Sequence, residues 1–194
     1  MQNTDDYLMQ QFIAGDRDGF SQIVNRHKQD IFNFILSKVK DHEHASDLAQ
    51  DVFVKLFNSA GRYTAHGKFK AWLFRIAQNV CIDFYRKQKN ASIISLNGEM
   101  DSVVNETTTL LERLEDESMN PMKETEYSEL QTVLKLALDE LPEKHQTALL
   151  LCQYHGMSYK EIADIQKCPV GTVKSRVHNA LMKMKEVLKE YEIR

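Results

Sequence analysis

The sequence predicts an all-α protein of two small helical domains joined by a flexible acidic linker, the second domain carrying a helix-turn-helix. Three observations lead there. Apolar residues recur at three- and four-residue spacing through both ends of the chain. Only 7 Gly and 3 Pro are spread over 194 residues, too few turn formers for a many-stranded sandwich or barrel. Between the two periodic parts, ASIISLNGEMDSVVNETTTLLERLEDESMNPMK mixes Ser, Thr, Asn and acids with scattered apolar residues and has no helical period.

Charge sharpens the division. The chain carries a net −3, but unevenly. Residues 1–90 hold 13 Lys+Arg against 10 Asp+Glu, a local +3; residues 91–126 hold 2 against 9, or −7; residues 127–194 hold 10 against 9, or +1. The expected boundaries are therefore 1–90, 91–126 and 127–194. A composition of 42% hydrophobic and 27% charged residues is that of a folded globular protein. No apolar run approaches the roughly 20 residues of a membrane span, and the opening MQNTDDYLMQ lacks a basic end followed by an apolar stretch. A cytoplasmic protein without membrane insertion is expected, with Cys81, Cys152 and Cys168 as reduced thiols.

In the first part, Phe20, Ile23, Val24, His27, Ile31, Phe34 and Ile35 mark one helix. Leu48, Ala49, Val52, Phe53, Leu56 and Phe57 mark a second, and Phe69, Trp72, Leu73, Ile76, Ala77, Val80 and Phe84 a third. After the linker, Leu130, Val133, Leu134, Ala137 and Leu138 form a stripe that stops at Leu141-Pro142, and Pro142 suits the first turn of a helix over 143–154.

The sharpest motif is MSYKEIADIQKCPVGTVKSRVHNALMKMK, which reads as helix, short turn, helix. Ser158 and Glu161 have the spacing of a capping box. Ile162, Ala163 and Ile165 give the short helix one apolar face, and Pro169 suits the start of the next helix. Along that helix Val170, Val173, Val177, Leu181, Met184 and Leu188 are expected inward, leaving Thr172, Lys174, Ser175, Arg176, His178 and Asn179 outward. Small residues at the leading end, with hydroxyls and cations behind them, suit a helix entering the major groove of DNA. A helical hairpin with a solvated polar face has the same pattern.

The third helix carries an independent signal. At about 100° per residue, Lys68, Trp72, Arg75, Asn79 and Arg86 share one stripe. Phe74 and Tyr85 lie on another flank, and Tyr63 sits in the preceding loop. Cations that follow a phosphate backbone, interleaved with aromatic faces that accept unstacked bases, are what single-stranded nucleic acid requires. Trp72 taken alone fits a core position equally well.

Four blocks, HASDLAQDVFVKLF, GKFKAWLFRIAQNVCIDFYRK, LDELPEKHQTALLL and MSYKEIADIQKCPVGTVKSRVHNAL, together resemble bacterial RNA polymerase sigma factors of the extracytoplasmic-function group of the sigma-70 family, in that family's order. The resemblance implies that residues 1–90 are region two, which binds core polymerase and recognises and melts the minus-ten element. Residues 127–194 would be region four, which reads the minus-thirty-five element. The family's middle domain is absent. Asp47, Gln50, Asp51 and Lys55, opposite the apolar face of the second helix, would meet the clamp of the largest polymerase subunit, and the flap of the second-largest would be a further partner. Tyr63, Lys68, Lys70, Trp72, Arg75, Asn79, Arg86 and Lys87 would hold the minus-ten strand, the loop from Tyr63 to Lys70 forming part of a pocket for a flipped base. Thr172, Lys174, Ser175, Arg176, His178 and Asn179 would contact the minus-thirty-five duplex. An anti-sigma factor is a further partner by resemblance. His178 and Asn179 stand where many members place an aromatic and an arginine, which means weaker phosphate anchoring. Asp83, within the basic helix, is placed to restrain Arg86 or Lys87.

The linker's acidity resembles that of RNA, so it suits the polymerase's basic RNA path as well as a plain tether. Its roughly 36 residues span up to ~120 Å when extended, against about 70 Å for two turns of DNA. Competing chemistry is thin. Cys152 with His155, and His42 with His44, lack the second ligand pair of a metal site, and no phosphate loop or nucleophile elbow is present. No catalytic residue, metal or cofactor is expected. The rival reading is a helix-turn-helix transcriptional regulator that acts without joining the polymerase core.

Overall fold

The structure, a computed structural model, describes residues 3–64, 67–94 and 132–192. The chain divides into two compact units, Met1–Thr107 and Thr108–Arg194. Nearly all of the expected linker, and Leu130 of the expected stripe, lie outside the described residues.

In the first unit, α1 (Asp5–Ile13) begins where the Thr4 hydroxyl accepts from the Tyr7 amide. It buries Leu8 and Met9 and ends before Gly15, whose φ of 106° suits glycine. Sequence periodicity misses this helix, because two adjacent buried residues in nine make no stripe. Asp16 caps α2 (Arg17–Val39). Near its start, a Cβ on Gly19 would lie 2.6 Å from the Leu8 carbonyl oxygen, so this corner requires glycine for the two helices to approach. Asp41 caps α3 (His42–Ser59), which runs into a 3₁₀ turn, Ala60–Arg62. Last comes α4 (Phe69–Ile94), which continues four residues past the expected domain end at 90.

The core of this unit follows the expected periods in α2, where Ile23, His27, Ile31, Phe34 and Ile35 are buried, and in α3, where Leu48, Ala49, Val52 and Leu56 are. Two rings depart. Phe74, expected on a flank with Tyr85, is fully buried and packs edge-on to Phe34 at 5.1 Å between ring centres. Burial of such a side chain contributes about 1.5–3 kcal/mol, which favours the core over a solvent flank. Phe57, expected inward, is 53% exposed. It closes a ring cluster with Phe12 and Phe20 at the α1–α2 corner, 5.1 and 5.3 Å away, and leaves its other side open.

In the second unit, a helix over 132–139 (α5) is followed by α6 (Glu143–Gln153), α7 (Tyr159–Gln166) and α8 (Val170–Glu192). Pro142 immediately precedes α6, its carbonyl accepting from the His145 and Gln146 amides. The expected capping box forms: the Ser158 hydroxyl accepts from the Glu161 amide, and the Glu161 carboxylate accepts from the Ser158 amide at 2.8 Å. Lys167, left-handed at φ 51°, ends α7, and the Pro169 carbonyl receives the first amides of α8. Ile162, Ala163 and Ile165 of α7 are buried, as are Val173 and Val177 of α8, in a unit whose core is mostly aliphatic. Val170 and Leu181, expected inward, are 39% and 44% exposed, and Ala180 is buried instead. At about 100° per residue, Ala180 points within about 20° of Val173 and Leu181 about 80° away.

Candidate nucleic-acid interface

On α3, Asp47, Gln50, Asp51 and Lys55 are all exposed, opposite the buried Leu48, Ala49, Val52 and Leu56. The face is not wholly polar. Val54, one turn from Gln50 and 57% exposed, opens with Phe20, Phe53 and Phe57 into a shallow apolar groove. The signal in the sequence is Val54 itself, an aliphatic residue on a polar face.

The stripe on α4 is brought together as expected, with more order than the sequence shows. Lys68, Arg75, Arg86 and Lys87 are exposed; Lys70, Trp72 and Asn79 are half-buried. Trp72 is neither pure core nor a free platform. The Tyr63 ring lies against it, 4.8 Å between centres and tilted by 32°, with Phe69 edge-on to Tyr63 at 5.7 Å. The Tyr63 hydroxyl donates to the Asp6 carboxylate of α1. Burial, together with the hydrogen bond and charge of Asp6 and the charge of Asp5, pushes the Tyr63 phenol far above its usual range, so it stays a donor. The residues at 65 and 66, within the expected pocket loop, lie outside the described residues.

Among the described residues, two of the cations expected at the minus-ten strand have carboxylate partners: Lys70 with Asp30 at 3.8 Å and Arg86 with Asp83 at 3.6 Å. Asp83 also meets Lys55 at 3.3 Å, so one carboxylate touches both the α3 face and the α4 stripe. Tyr85 has its hydroxyl engaged by the Lys38 carbonyl at 2.7 Å. With Phe74 buried, the Phe74–Tyr85 flank offers no pair of open rings.

Behind the stripe is a cluster that sequence reasoning missed. Asp5 accepts from Arg26, and from the buried His27 at 2.9 Å, while the His27 ring is tilted against Phe69 at 5.7 Å. Burial pushes the Asp5 carboxyl up, but the hydrogen bonds and charges of His27 and Arg26 outweigh it and hold the group below the usual carboxylate range. Partners more than twenty residues away leave no local pattern to read.

In the second unit, Lys174, Ser175, His178 and Asn179 are exposed on α8 and Thr172 is half-buried. Ser175 turns its hydroxyl back to the Thr172 carbonyl at 2.9 Å. Arg176, expected to stand outward with the others, is half-buried and engaged. Its guanidinium donates to the Gln166 side-chain oxygen at 2.5 Å and to the Cys168 sulfur at 3.3 Å, while Gln166 donates to the Lys144 carbonyl at 2.9 Å. This chain ties α6, α7 and α8 together through side chains. All three cysteines are free thiols, and no helix among the described residues is long and apolar enough to cross a membrane.

Comparison with known proteins matches both units. Residues 23–91 match the family model for sigma-70 region 2, and residues 131–184 that for sigma-70 region 4. The chain is 30% identical to the RNA polymerase sigma-H factor of Pseudomonas aeruginosa over 92% of this chain and 91% of that protein. It is likewise 30% identical to the ECF RNA polymerase sigma-E factor of Haemophilus influenzae, over 92% of each. Among solved structures, the sigma factor RpoE of Bartonella quintana, crystallised with the anti-sigma factor NepR, is 28% identical with a TM-score of 0.66, covering 88% of this chain and 96% of that one. The chain therefore belongs to the extracytoplasmic-function group of the sigma-70 family.

Proposed function

We propose that this chain is a sigma factor that binds core RNA polymerase, directs it to specific promoters and helps melt the minus-ten element to start transcription. One observation carries the reading: the region 2 match falls on the unit with the Trp72 stripe and the region 4 match on the helix-turn-helix. On this reading Asp47, Gln50, Asp51 and Lys55 meet the polymerase clamp, with Val54 and Phe57 supplying apolar contact beside them. Tyr63, Lys68, Lys70, Trp72, Arg75, Asn79, Arg86 and Lys87 take the opened strand. Thr172, Lys174, Ser175, His178 and Asn179 face the minus-thirty-five duplex, with Arg176 supporting them from within α8 through its bonds to Gln166 and Cys168. The protein acts in the cytoplasm and carries no catalytic residue. An anti-sigma factor is a fitting partner, since the Bartonella quintana relative was captured with one.

Run-off transcription with purified core polymerase and a library of promoter fragments tests this directly. The chain should select a discrete promoter set, and in isolation it should bind duplex DNA weakly, since a local +1 over residues 127–194 releases few counterions. Tight sequence-specific binding without polymerase, and no transcription with it, would support a conventional regulator instead. Within the same assay, Arg75→Ala with Asn79→Ala should leave polymerase binding intact, impair opening read by permanganate footprinting, and be partly rescued on a pre-melted template. Normal opening by that folded variant would remove the stripe from the melting surface.

A further inference from the structure

We infer that Asp6, on the N-terminal helix, is a positioning residue for the strand-opening surface: its carboxylate holds the Tyr63 hydroxyl and so fixes the aromatic pair Tyr63–Trp72 in place for an unpaired base. The inference rests on the reading of the α4 stripe as the minus-ten surface, and it adds a residue from a helix outside that stripe and outside the region 2 match, which begins at residue 23.

Tyr63 follows the 3₁₀ turn in a stretch where Gly61, Arg62 and Thr64 are exposed, and its own amide is held by the Ala60 carbonyl at 2.9 Å. A stretch anchored so lightly does not of itself fix a ring orientation. Three side-chain contacts do: Trp72 at 4.8 Å, Phe69 at 5.7 Å, and the hydroxyl bond to Asp6. Ring contacts tolerate sliding and tilting, whereas a hydrogen bond to a carboxylate is directional and roughly twice as strong as a neutral one. Asp6 therefore fixes where the outer end of the Tyr63 ring lies, and the Trp72 and Phe69 rings set its plane against that anchor.

Its support is firm. Next to Asp6, Asp5 is tied to Arg26 and His27, and one turn on, Leu8 and Met9 are buried, so the carboxylate projects from a helix anchored on both sides. Its other oxygen lies 3.9 Å from where a Cβ would stand on Gly67, which has a φ of 67°. Asp6 thus lies beside Gly67 as well as bonding Tyr63. An acid near a DNA-binding surface repels phosphate, and a bond from the neutral Tyr63 hydroxyl leaves that charge in place; what Asp6 supplies in return is an ordered stacking pair.

Trp72 is the single tryptophan, so its emission reports this site. In the full-length chain, Asp6→Ala and Tyr63→Phe should each change Trp72 emission, while Asp6→Asn, which keeps an acceptor oxygen, should stay close to wild type. For holoenzyme, Trp72 is replaced biosynthetically by 5-hydroxytryptophan, whose red-shifted absorption separates it from polymerase tryptophans. The probe is a single-stranded oligonucleotide carrying the minus-ten sequence recovered by run-off selection. Binding should change the emission. Asp6→Ala and Tyr63→Phe should each weaken oligonucleotide affinity by about tenfold, equivalent to about 1.4 kcal/mol. The double variant should be no weaker than either single one, Asp6→Asn should recover most of the loss, and affinity for core polymerase should not change.

A wild-type emission response with undiminished affinity in both single variants overturns the Asp6 assignment alone. Additive losses in the double variant overturn it as well, since the two residues would then act independently. No response of Trp72 to oligonucleotide in the wild type removes the stripe reading and this inference with it. Where Asp6→Ala fails to fold, Tyr63→Phe decides, because it removes one hydroxyl and leaves the core and the carboxylate untouched.

Discussion

In the N-terminal unit, side chains assigned to DNA are tied to other elements: Tyr63 to α1, Lys70 to α2, and Arg86 to Asp83, which also meets Lys55 of α3. In the C-terminal unit, Lys174, His178 and Asn179 stand exposed along α8, and the order lies underneath, in the capping box and the Arg176–Gln166 link. The cores differ in the same sense. Rings pack on rings through Phe12, Phe20, Phe34, Phe57 and Phe74 in the first unit, while Ala, Val, Leu and Ile fill most of the second. The contrast matches the two tasks proposed for these units. Taking an unpaired base costs a few kcal/mol of unstacking, so that surface gains most from being ordered beforehand. Reading an intact duplex needs a rigid helix whose outer side chains adapt to base edges and phosphates.

The largest test of this contrast is Phe74→Ala. Removing a fully buried ring should cost about 3–5 kcal/mol and lower the unfolding temperature of the N-terminal unit. Calorimetry should then resolve two transitions, with the C-terminal one unmoved. A shift of both together would show that the units do not unfold independently.

Next in size are the recognition-helix variants. Lys174→Ala should weaken binding to minus-thirty-five duplex by about 1–3 kcal/mol if its contact is to a base, with transcription from a pre-opened bubble largely spared. Arg176→Ala should lose affinity by another route, by loosening the turn, so Gln166→Ala should reproduce part of its effect and none of that of Lys174→Ala. Equal losses for Gln166→Ala and Lys174→Ala, or none for Gln166→Ala, would merge the two roles that the geometry separates.

A smaller effect is expected at Ser158. Ser158→Ala removes the capping box and should cost the C-terminal unit about 0.5–2 kcal/mol, read as a lower midpoint in urea with the slope unchanged. The smallest is at Asp83. Its partners Lys55 and Arg86 are exposed, and such pairs contribute about 0–1 kcal/mol, so Asp83→Ala should scarcely change stability. Strand binding by the holoenzyme should tighten slightly at low salt as Arg86 is released; a marked loss of stability would make Asp83 a structural pin.

Features that rest on near neighbours were legible in the chain: the helices with clear stripes, the capping box between residues three apart, the prolines that open α6 and α8, and the exposed faces of α3 and α4. Stripes and caps depend on contacts three or four residues apart, and residue identity encodes those directly. Helix α1 was not legible, because a short helix that buries two adjacent residues leaves no repeat. Which of several apolar residues on a broad face goes in was also undecided: Phe74 went in and Phe57 stayed half out. That choice depends on where a neighbouring helix crosses, and periodicity does not specify the crossing.

The same division runs through the candidate surfaces. That a basic and aromatic stripe precedes an acidic stretch and a helix-turn-helix is written in residue order, and so is the family. That Tyr63 reaches Asp6 across 57 residues, that Asp5 holds Arg26 and His27, and that Arg176 turns inward to Gln166 came from folding alone. Such bonds form between side chains of different elements, so their partners are set by how helices lie against one another in space, and a linear pattern carries no term for that distance.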